Sequence, residues 1–200
     1  MNQATREQGF EPNEEFRRTL LGSNWDRVER EYQRFYGPQM DTKKLFARCF
    51  ELNEEMMKKG VPLMKGARQL LYYLHEANIH TCIGTTTNRR NAMIMLEADD
   101  LLKDFEAIVC GDEVEHGKPA PDIYLKCLSK YPDVDKSEVL IFEDGEAGGK
   151  AAIGSGARLV LVPDIAQLSD DIKNKAYKVI EDLSKIIDVI KEENEGTTSV

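Results

Sequence analysis

The spacing of hydrophobic positions changes character near Gly60. Before this glycine, apolar residues recur every three or four positions, as in the stripe formed by Phe16, Leu20 and Leu21. This spacing is typical of amphipathic helices. It predicts helices over residues 2–8, 13–21, 24–36 and 41–59. We therefore expect residues 1–60 to form a small helical bundle.

After Gly60, helical stretches alternate with short runs rich in valine and isoleucine. The pattern predicts helices over residues 66–77, 88–98, 121–130, 147–155 and 183–190. It predicts strands over residues 79–84, 107–110, 138–142 and 158–162. Strands separated by helices indicate βαβ units and a parallel sheet, with the binding site at the carboxyl ends of the strands. We expect an α/β core over residues 61–190 and a disordered polar tail over residues 191–200.

Composition narrows the range of partners. The chain has 200 residues, of which 41% are hydrophobic, and a net charge of −9. A negative protein is repelled by nucleic acids and anionic membranes, so we expect neither as a partner. The N-terminus is polar, and no apolar run reaches the roughly 18 residues of a membrane span. These features predict a cytoplasmic protein.

Four cysteines lie singly along the chain, at positions 49, 82, 110 and 127. No Cys-x-x-Cys pair is present. Reduced, mostly buried thiols are the interpretation that this spacing favours over a zinc site or disulfides.

Three loops that follow predicted strands carry unusual polar residues. The first is Gly84-Thr85-Thr86-Thr87-Asn88, at a junction between a strand and a helix. Hydroxyls and free backbone N–H groups at a helix N-terminus can bind an anion. The alternative is an ordinary helix cap formed by Thr87 or Asn88.

The second loop is Gly117-Lys118-Pro119-Ala120-Pro121-Asp122. Its prolines restrict the backbone conformation around Lys118. A lysine held in this way can neutralise a phosphate or a carboxylate. The alternative is a solvated lysine in a proline-rich turn. The neighbouring His116 is interpreted as a surface residue.

The third loop ends the run Glu138–Phe142 with Glu143, Asp144 and Gly145. Adjacent acidic residues at the end of a buried strand are costly unless they meet a cation. Carboxylate oxygens together with substrate phosphate are the ligands that Mg²⁺ prefers. Simple capping of the following helix is the alternative.

Thr85, then Gly-Lys-Pro-Ala-Pro-Asp, then Phe-Glu-Asp-Gly, in this order and spacing, resemble the haloacid dehalogenase superfamily. The sequences of these motifs are most similar to the β-phosphoglucomutase-like and pseudouridine-5′-phosphatase-like branch. The resemblance covers residues 61–163, and more weakly residues 1–60, which look like the helical cap of that branch. It implies a three-layer, Rossmann-like core that hydrolyses or transfers a phosphoryl group through an aspartyl-phosphate, with Mg²⁺.

The same resemblance assigns roles to individual residues. Thr85 and Thr86 would bind phosphate, and Lys118 would tie the phosphate to the nucleophile. Asp144 would bind Mg²⁺, with Glu143 beside it. Substrate contacts would come from the stretch that includes Ser23 and Trp25. Trp25 would stack on a sugar or a base, or else pack in the bundle.

One motif of the superfamily has no counterpart here. No segment matches its first strand, which ends in Asp-x-Asp-Gly-Thr and would lie between the strands predicted over residues 79–84 and 138–142. We therefore expect an N-terminally truncated, inactive phosphatase or phosphomutase for a small phosphorylated metabolite, such as a sugar or nucleoside phosphate. The alternative is a non-catalytic relative that binds a phosphorylated ligand or a protein. The sequence leaves the choice between phosphatase and mutase, and the oligomeric state, open.

Overall fold

The computed structural model describes residues 1–20, 25–164 and 168–197. It divides into two compact units, Met1–Lys59 and Gly60–Val200, which are described separately. Among the described residues, no helix combines the length and the apolar character needed to cross a bilayer.

The first unit is helical, as predicted. Its helices are α1 Asn2–Glu7, α2 Glu14–Arg18, α3 Trp25–Tyr36 and α4 Thr42–Met57. Asp41 caps α4, because its carboxylate accepts a bond from the backbone N–H of Lys44 at 2.9 Å. The core of the unit contains Tyr32, Met40 and Leu45, all almost completely buried.

The second unit alternates strands and helices. Its helices are α5 Ala67–Glu76, α6 Arg89–Ala98, α7 Asp122–Leu128, α8 Glu146–Ser155, α9 Asp170–Lys175 and α10 Ile186–Thr197. Its strands are β1 Cys82–Gly84, β2 Ala107–Val109, β3 Leu140–Glu143, β4 Arg158–Leu161 and β5 Lys178–Val179. This mixed α/β architecture confirms the predicted fold class.

The strands are parallel and form two ladders. In the first, β1 pairs with β2; in the second, the order is β3-β4-β5. Within the described ranges, no backbone ladder joins β1 to β3. These are the two strands that we expected to flank the missing one.

Side chains on β4 alternate between two apolar clusters, as the pleat of a strand requires. Leu159 and Leu161 pack in a cluster that includes residues of α7, α8 and α9. Val160 packs in another cluster, with residues of α5 and α10. All three side chains are at most 2% exposed. Helices therefore cover both faces of the sheet, which makes three layers.

The structure corrects two predictions. Helix α9 and strand β5 were missed because they have only six and two residues, too short for a periodic signal. The disordered tail is wrong for residues 191–197, since α10 continues to Thr197. Both oxygens of Glu193 accept bonds from Arg158, at 2.9 and 3.0 Å, which ties this helix to β4.

Candidate functional site

The carboxyl ends of β1 and β3 are linked by the side chain of Lys118. Its Nζ donates to the carbonyl of Gly84, the last residue of β1, at 3.1 Å. It also donates to Oε1 of Glu143, the last residue of β3, at 2.5 Å. The two side chains are 14% and 10% exposed, so this ion pair is largely withdrawn from water. The side chain of Lys118 therefore bridges the gap between the two ladders.

A tyrosine completes this arrangement. The hydroxyl of Tyr124, in the first turns of α7, donates to the same Oε1 of Glu143. The ammonium of Lys118 lies 4.8 Å from the centroid of the Tyr124 ring. Burial, and then the charge of Glu143, raise the pKa of Tyr124 well above its usual range, so the hydroxyl keeps its proton.

Glycines let the chain approach this cluster closely. A Cβ added to Gly148 in α8 would lie 2.1 Å from the carboxylate carbon of Glu143. A Cβ added to Gly84 would lie 3.1 Å from the ring of Tyr124. The carboxylate of Glu143 therefore rests against the backbone of α8, and Tyr124 lies directly beneath the end of β1.

The threonine loop begins at the same edge. The N–H of Thr85 donates to the carbonyl of Val109 at 3.0 Å, which extends the β1–β2 pairing by one residue. Its hydroxyl is half-buried and accepts a bond from the N–H of Thr87 at 3.2 Å. Thr86 is exposed. Asn88 caps α6 by accepting from the N–H of Asn91 at 2.9 Å, so the capping alternative holds for Asn88.

The two adjacent acids occupy different environments. Glu143 receives bonds from Lys118 and Tyr124 on one oxygen. Asp144 is exposed, and within the described ranges its carboxylate makes no hydrogen bond or ion pair. A hard divalent cation prefers such an oxygen donor, so the pair fits Mg²⁺, with Asp144 as the available ligand and Glu143 already engaged by protein donors.

A second group of possible metal ligands lies elsewhere on the second unit. Oxygen or sulfur atoms of Cys110, Asp112 and Glu113 lie within 4.8 Å of one another. Protein contacts account for this group: Glu113 lies 3.5 Å from Arg89 and 3.6 Å from Lys126. The four cysteines are free, as predicted.

The structure brings Lys118, Glu143 and the start of the threonine loop together at one edge of the sheet. Ser23 lies outside the described residues, as does the side chain of Trp25, so the predicted substrate contacts stay predictions. Sequence reasoning missed Tyr124, although it follows the Gly-Lys-Pro-Ala-Pro-Asp motif by two positions. The signal was a polar tip on an apolar helix that begins at the last residue of this motif.

Comparison with known proteins identifies the family. The model of the haloacid dehalogenase-like hydrolases matches residues 1–162. The chain belongs to this family. This confirms the resemblance drawn from the three loops.

Individual relatives place it in the predicted branch. The chain is 40% identical over 119 residues to (DL)-glycerol-3-phosphatase 2 of Arabidopsis thaliana. It is 34% identical over 146 residues to a protein of Drosophila melanogaster named as a probable pseudouridine-5′-phosphatase. These matches cover 56% and 70% of this chain, and 50% and 62% of the relatives. The chain therefore spans about half to three fifths of the length of these relatives.

Solved structures show the same fold. A Thermotoga maritima structure assigned as a β-phosphoglucomutase has a TM-score of 0.80 at 23% identity, covering 96% of this chain and 88% of that one. CbbY of Rhodobacter sphaeroides, in complex with phosphate, has a TM-score of 0.67 at 23% identity, covering 92% and 86%.

Proposed function

We propose that this chain supplies the phosphate-binding and metal-binding groups of a phosphatase or phosphomutase for a small phosphorylated metabolite. The observation that carries the proposal is the position of Lys118. Its ammonium is held between the ends of β1 and β3, beside the threonine loop, at the edge where parallel α/β sheets bind ligands. The relatives named as phosphatases of glycerol 3-phosphate and pseudouridine 5′-phosphate support the substrate class.

In this proposal, Lys118 and the threonine loop hold the phosphoryl group. An ammonium has three N–H donors, of which Gly84 and Glu143 take two, so one is left for a phosphate oxygen. The hydroxyl of Thr85 accepts one bond and can donate its own proton. The exposed hydroxyl of Thr86 is a further donor. Charge neutralisation and positioning are most of what phosphoryl transfer requires of a protein.

Asp144 and Glu143 would hold Mg²⁺ in the same proposal. When bound, the ion would neutralise charge on the phosphoryl oxygens. The ligand set offered by these two residues is small, because Lys118 and Tyr124 already occupy one oxygen of Glu143. We therefore expect Mg²⁺ to keep most of its waters and to bind weakly.

Among the described residues at this edge, we find no group placed to attack phosphorus. Glu143 is bonded to two donors, Asp144 is assigned to the metal, and Thr85 has no adjacent base. The family's first motif, which carries its nucleophile, has no matching segment in the sequence. We therefore propose that the 200 residues alone bind phosphate but hydrolyse phosphate monoesters negligibly.

Calorimetric titration of the protein with inorganic phosphate tests the binding step. Lys118→Ala should weaken phosphate binding about 10- to 100-fold, the usual effect of losing a charge-assisted hydrogen bond. Lys126→Ala is a matched control, because Lys126 lies on α7 and bonds the carbonyl of Glu113 at 2.7 Å instead. Equal affinities for the two variants would contradict the proposal.

A turnover assay with glycerol 3-phosphate and pseudouridine 5′-phosphate tests the catalytic step. We expect no Mg²⁺-dependent release of phosphate from the chain, and release after fusion of a strand ending in Asp-x-Asp-Gly-Thr ahead of Met1. If the fusion binds phosphate but stays inactive, the non-catalytic alternative is favoured. Robust activity of the unfused chain, abolished by Asp144→Asn, would show that its nucleophile lies within the 200 residues.

A further inference from the structure

The carboxylate of Glu143 is positioned from three sides. On Oε1 it accepts the ammonium of Lys118 and the hydroxyl of Tyr124, and its carboxylate carbon lies against Gly148. Its side chain is 10% exposed, and Tyr124 is 6% exposed. Protein groups, and little water, therefore determine where this carboxylate lies.

The hydroxyl of Tyr124 is needed for this geometry because a buried carboxylate is costly when its oxygens lack donors. Without the hydroxyl, Glu143 would keep the bond from Lys118 but lose the second donor to its Oε1. The backbone at Gly148 blocks movement toward α8, so the carboxylate would turn toward solvent. Lys118 would then lose the fixed acceptor that holds it beside Gly84.

We propose that Tyr124 is a positioning residue that fixes Glu143 and, through it, orients Lys118 to receive a phosphoryl group. The proposal rests on the proposed function for the ligand that Lys118 receives. Tyr124 would touch neither the phosphate nor the metal. A donor that is fixed before the ligand arrives binds more tightly, because less side-chain freedom is lost on binding.

Tyr124→Phe tests the proposal with little disturbance. It removes the hydroxyl and keeps the ring that packs beneath Gly84 and below the ammonium of Lys118. Tyr131→Phe is the matched control, since the hydroxyl of Tyr131 donates to the carbonyl of Thr81, before β1, at 3.3 Å. That variant also loses one half-buried tyrosine hydroxyl bond in the same unit, but not one to Glu143.

Two quantities are measured for the wild type and for each variant. The first is the rate at which an N-hydroxysuccinimide ester acylates Lys118, relative to Lys65, whose side chain is 80% exposed. Mass spectrometry of the digested protein reads this ratio. The second is the affinity for inorganic phosphate. Tyr124→Phe should raise the relative labelling of Lys118 several-fold and weaken phosphate binding about tenfold, the effect of one hydrogen bond to a charged group. Tyr131→Phe should change neither.

A double-mutant cycle separates positioning from general packing. Glu143→Leu removes the acceptor and fills a similar volume. If the leucine variant fails to fold, Glu143→Ala is used in the cycle instead. In either background, Tyr124→Phe should no longer change the labelling of Lys118 or the phosphate affinity. If the effect persists without Glu143, Tyr124 acts through packing and the proposal is wrong.

The outcomes also separate this proposal from the proposed function. If wild-type protein binds no phosphate, the proposed function fails, while the labelling of Lys118 still decides whether Tyr124 positions it. If phosphate binds and Lys118 is labelled equally in the wild type and in Tyr124→Phe, the positioning role is refuted and the proposed function stands.

Discussion

Replacement of Gly148 by alanine tests the packing around Glu143. The added Cβ would lie 2.1 Å from the carboxylate carbon of Glu143, well inside van der Waals contact. A flexible side chain usually moves away from such a clash at little cost. Here it cannot move without breaking its bonds to Lys118 and Tyr124, so the substitution should displace the whole cluster.

The expected magnitude is a difference of two terms. Overpacking a fitted site costs about 1–3 kcal/mol, and replacing glycine by alanine inside a helix returns about 0.5–1 kcal/mol. Gly148→Ala should therefore lower the free energy of unfolding by up to about 2.5 kcal/mol net. Phosphate binding should weaken as well, because Lys118 loses its fixed acceptor.

Gly154 provides a control in the same helix. A Cβ there would lie 3.4 Å from Pro121, which is an ordinary contact, and the residue is exposed. Gly154→Ala should therefore raise the free energy of unfolding by about 0.5–1 kcal/mol from helix propensity alone. Urea denaturation monitored by circular dichroism gives the free energy of unfolding of both variants. Equal m-values make their midpoints comparable.

A second substitution identifies the cause of the loss. In a Glu143→Ala background the clashing carboxylate is absent, so Gly148→Ala should become stabilising, like Gly154→Ala. If Gly148→Ala is already as stable as Gly154→Ala in the wild-type chain, the close contact with Glu143 is wrong.

Three further predictions concern other groups. Mg²⁺ binding measured by calorimetry should be weak and lost in Asp144→Asn but kept in Asp112→Asn; tight binding that survives Asp144→Asn would contradict the metal assignment. Bonds from Ser184 and an ion pair with Lys65 lower the pKa of Asp182 to about 2, so its contribution to stability is complete above about pH 4 and is lost as the pH falls toward 2. The urea midpoint of Asp182→Ala should therefore depend less on pH in this window than the wild-type midpoint, and parallel pH profiles would refute the shift. A hydrogen bond with Cys82, together with burial, raises the pKa of Cys127, so iodoacetamide should modify Cys127 later than Cys49; equal rates by mass spectrometry would contradict this.

Local sequence signals predicted most of the elements well. The helix predicted from residue 41 is one example: α4 begins at Thr42, and the side chain of Asp41 caps it by accepting from the N–H of Lys44. The alternation after Gly60 likewise predicted β1 to β4, since buried strands of a parallel sheet are continuous apolar runs. The hydrophobic pattern did not predict the short elements α9 and β5 or the polar last turns of α10.

The candidate site was predicted in part. Lys118, Thr85, Glu143 and Asp144 each follow a strand signal, and chemistry at strand ends can be read from a sequence. Which groups contact one another could not be read. The resemblance gave Asp144 the metal and set Glu143 beside it, but only the structure shows that Lys118 and Tyr124 engage Glu143 while Asp144 is exposed.

The sequence by itself determined the order of helices and strands, the family, and the residue types gathered at the strand ends. These depend on periodicity and on short motifs, which are local properties of the chain. Only the tertiary structure decided that Tyr124 shares an oxygen of Glu143 with Lys118, and that Gly148 lies against that carboxylate. Those contacts join residues from the end of β3, the loop before α7, α7 itself and α8. No local pattern encodes them, because packing brings these segments together across the sheet.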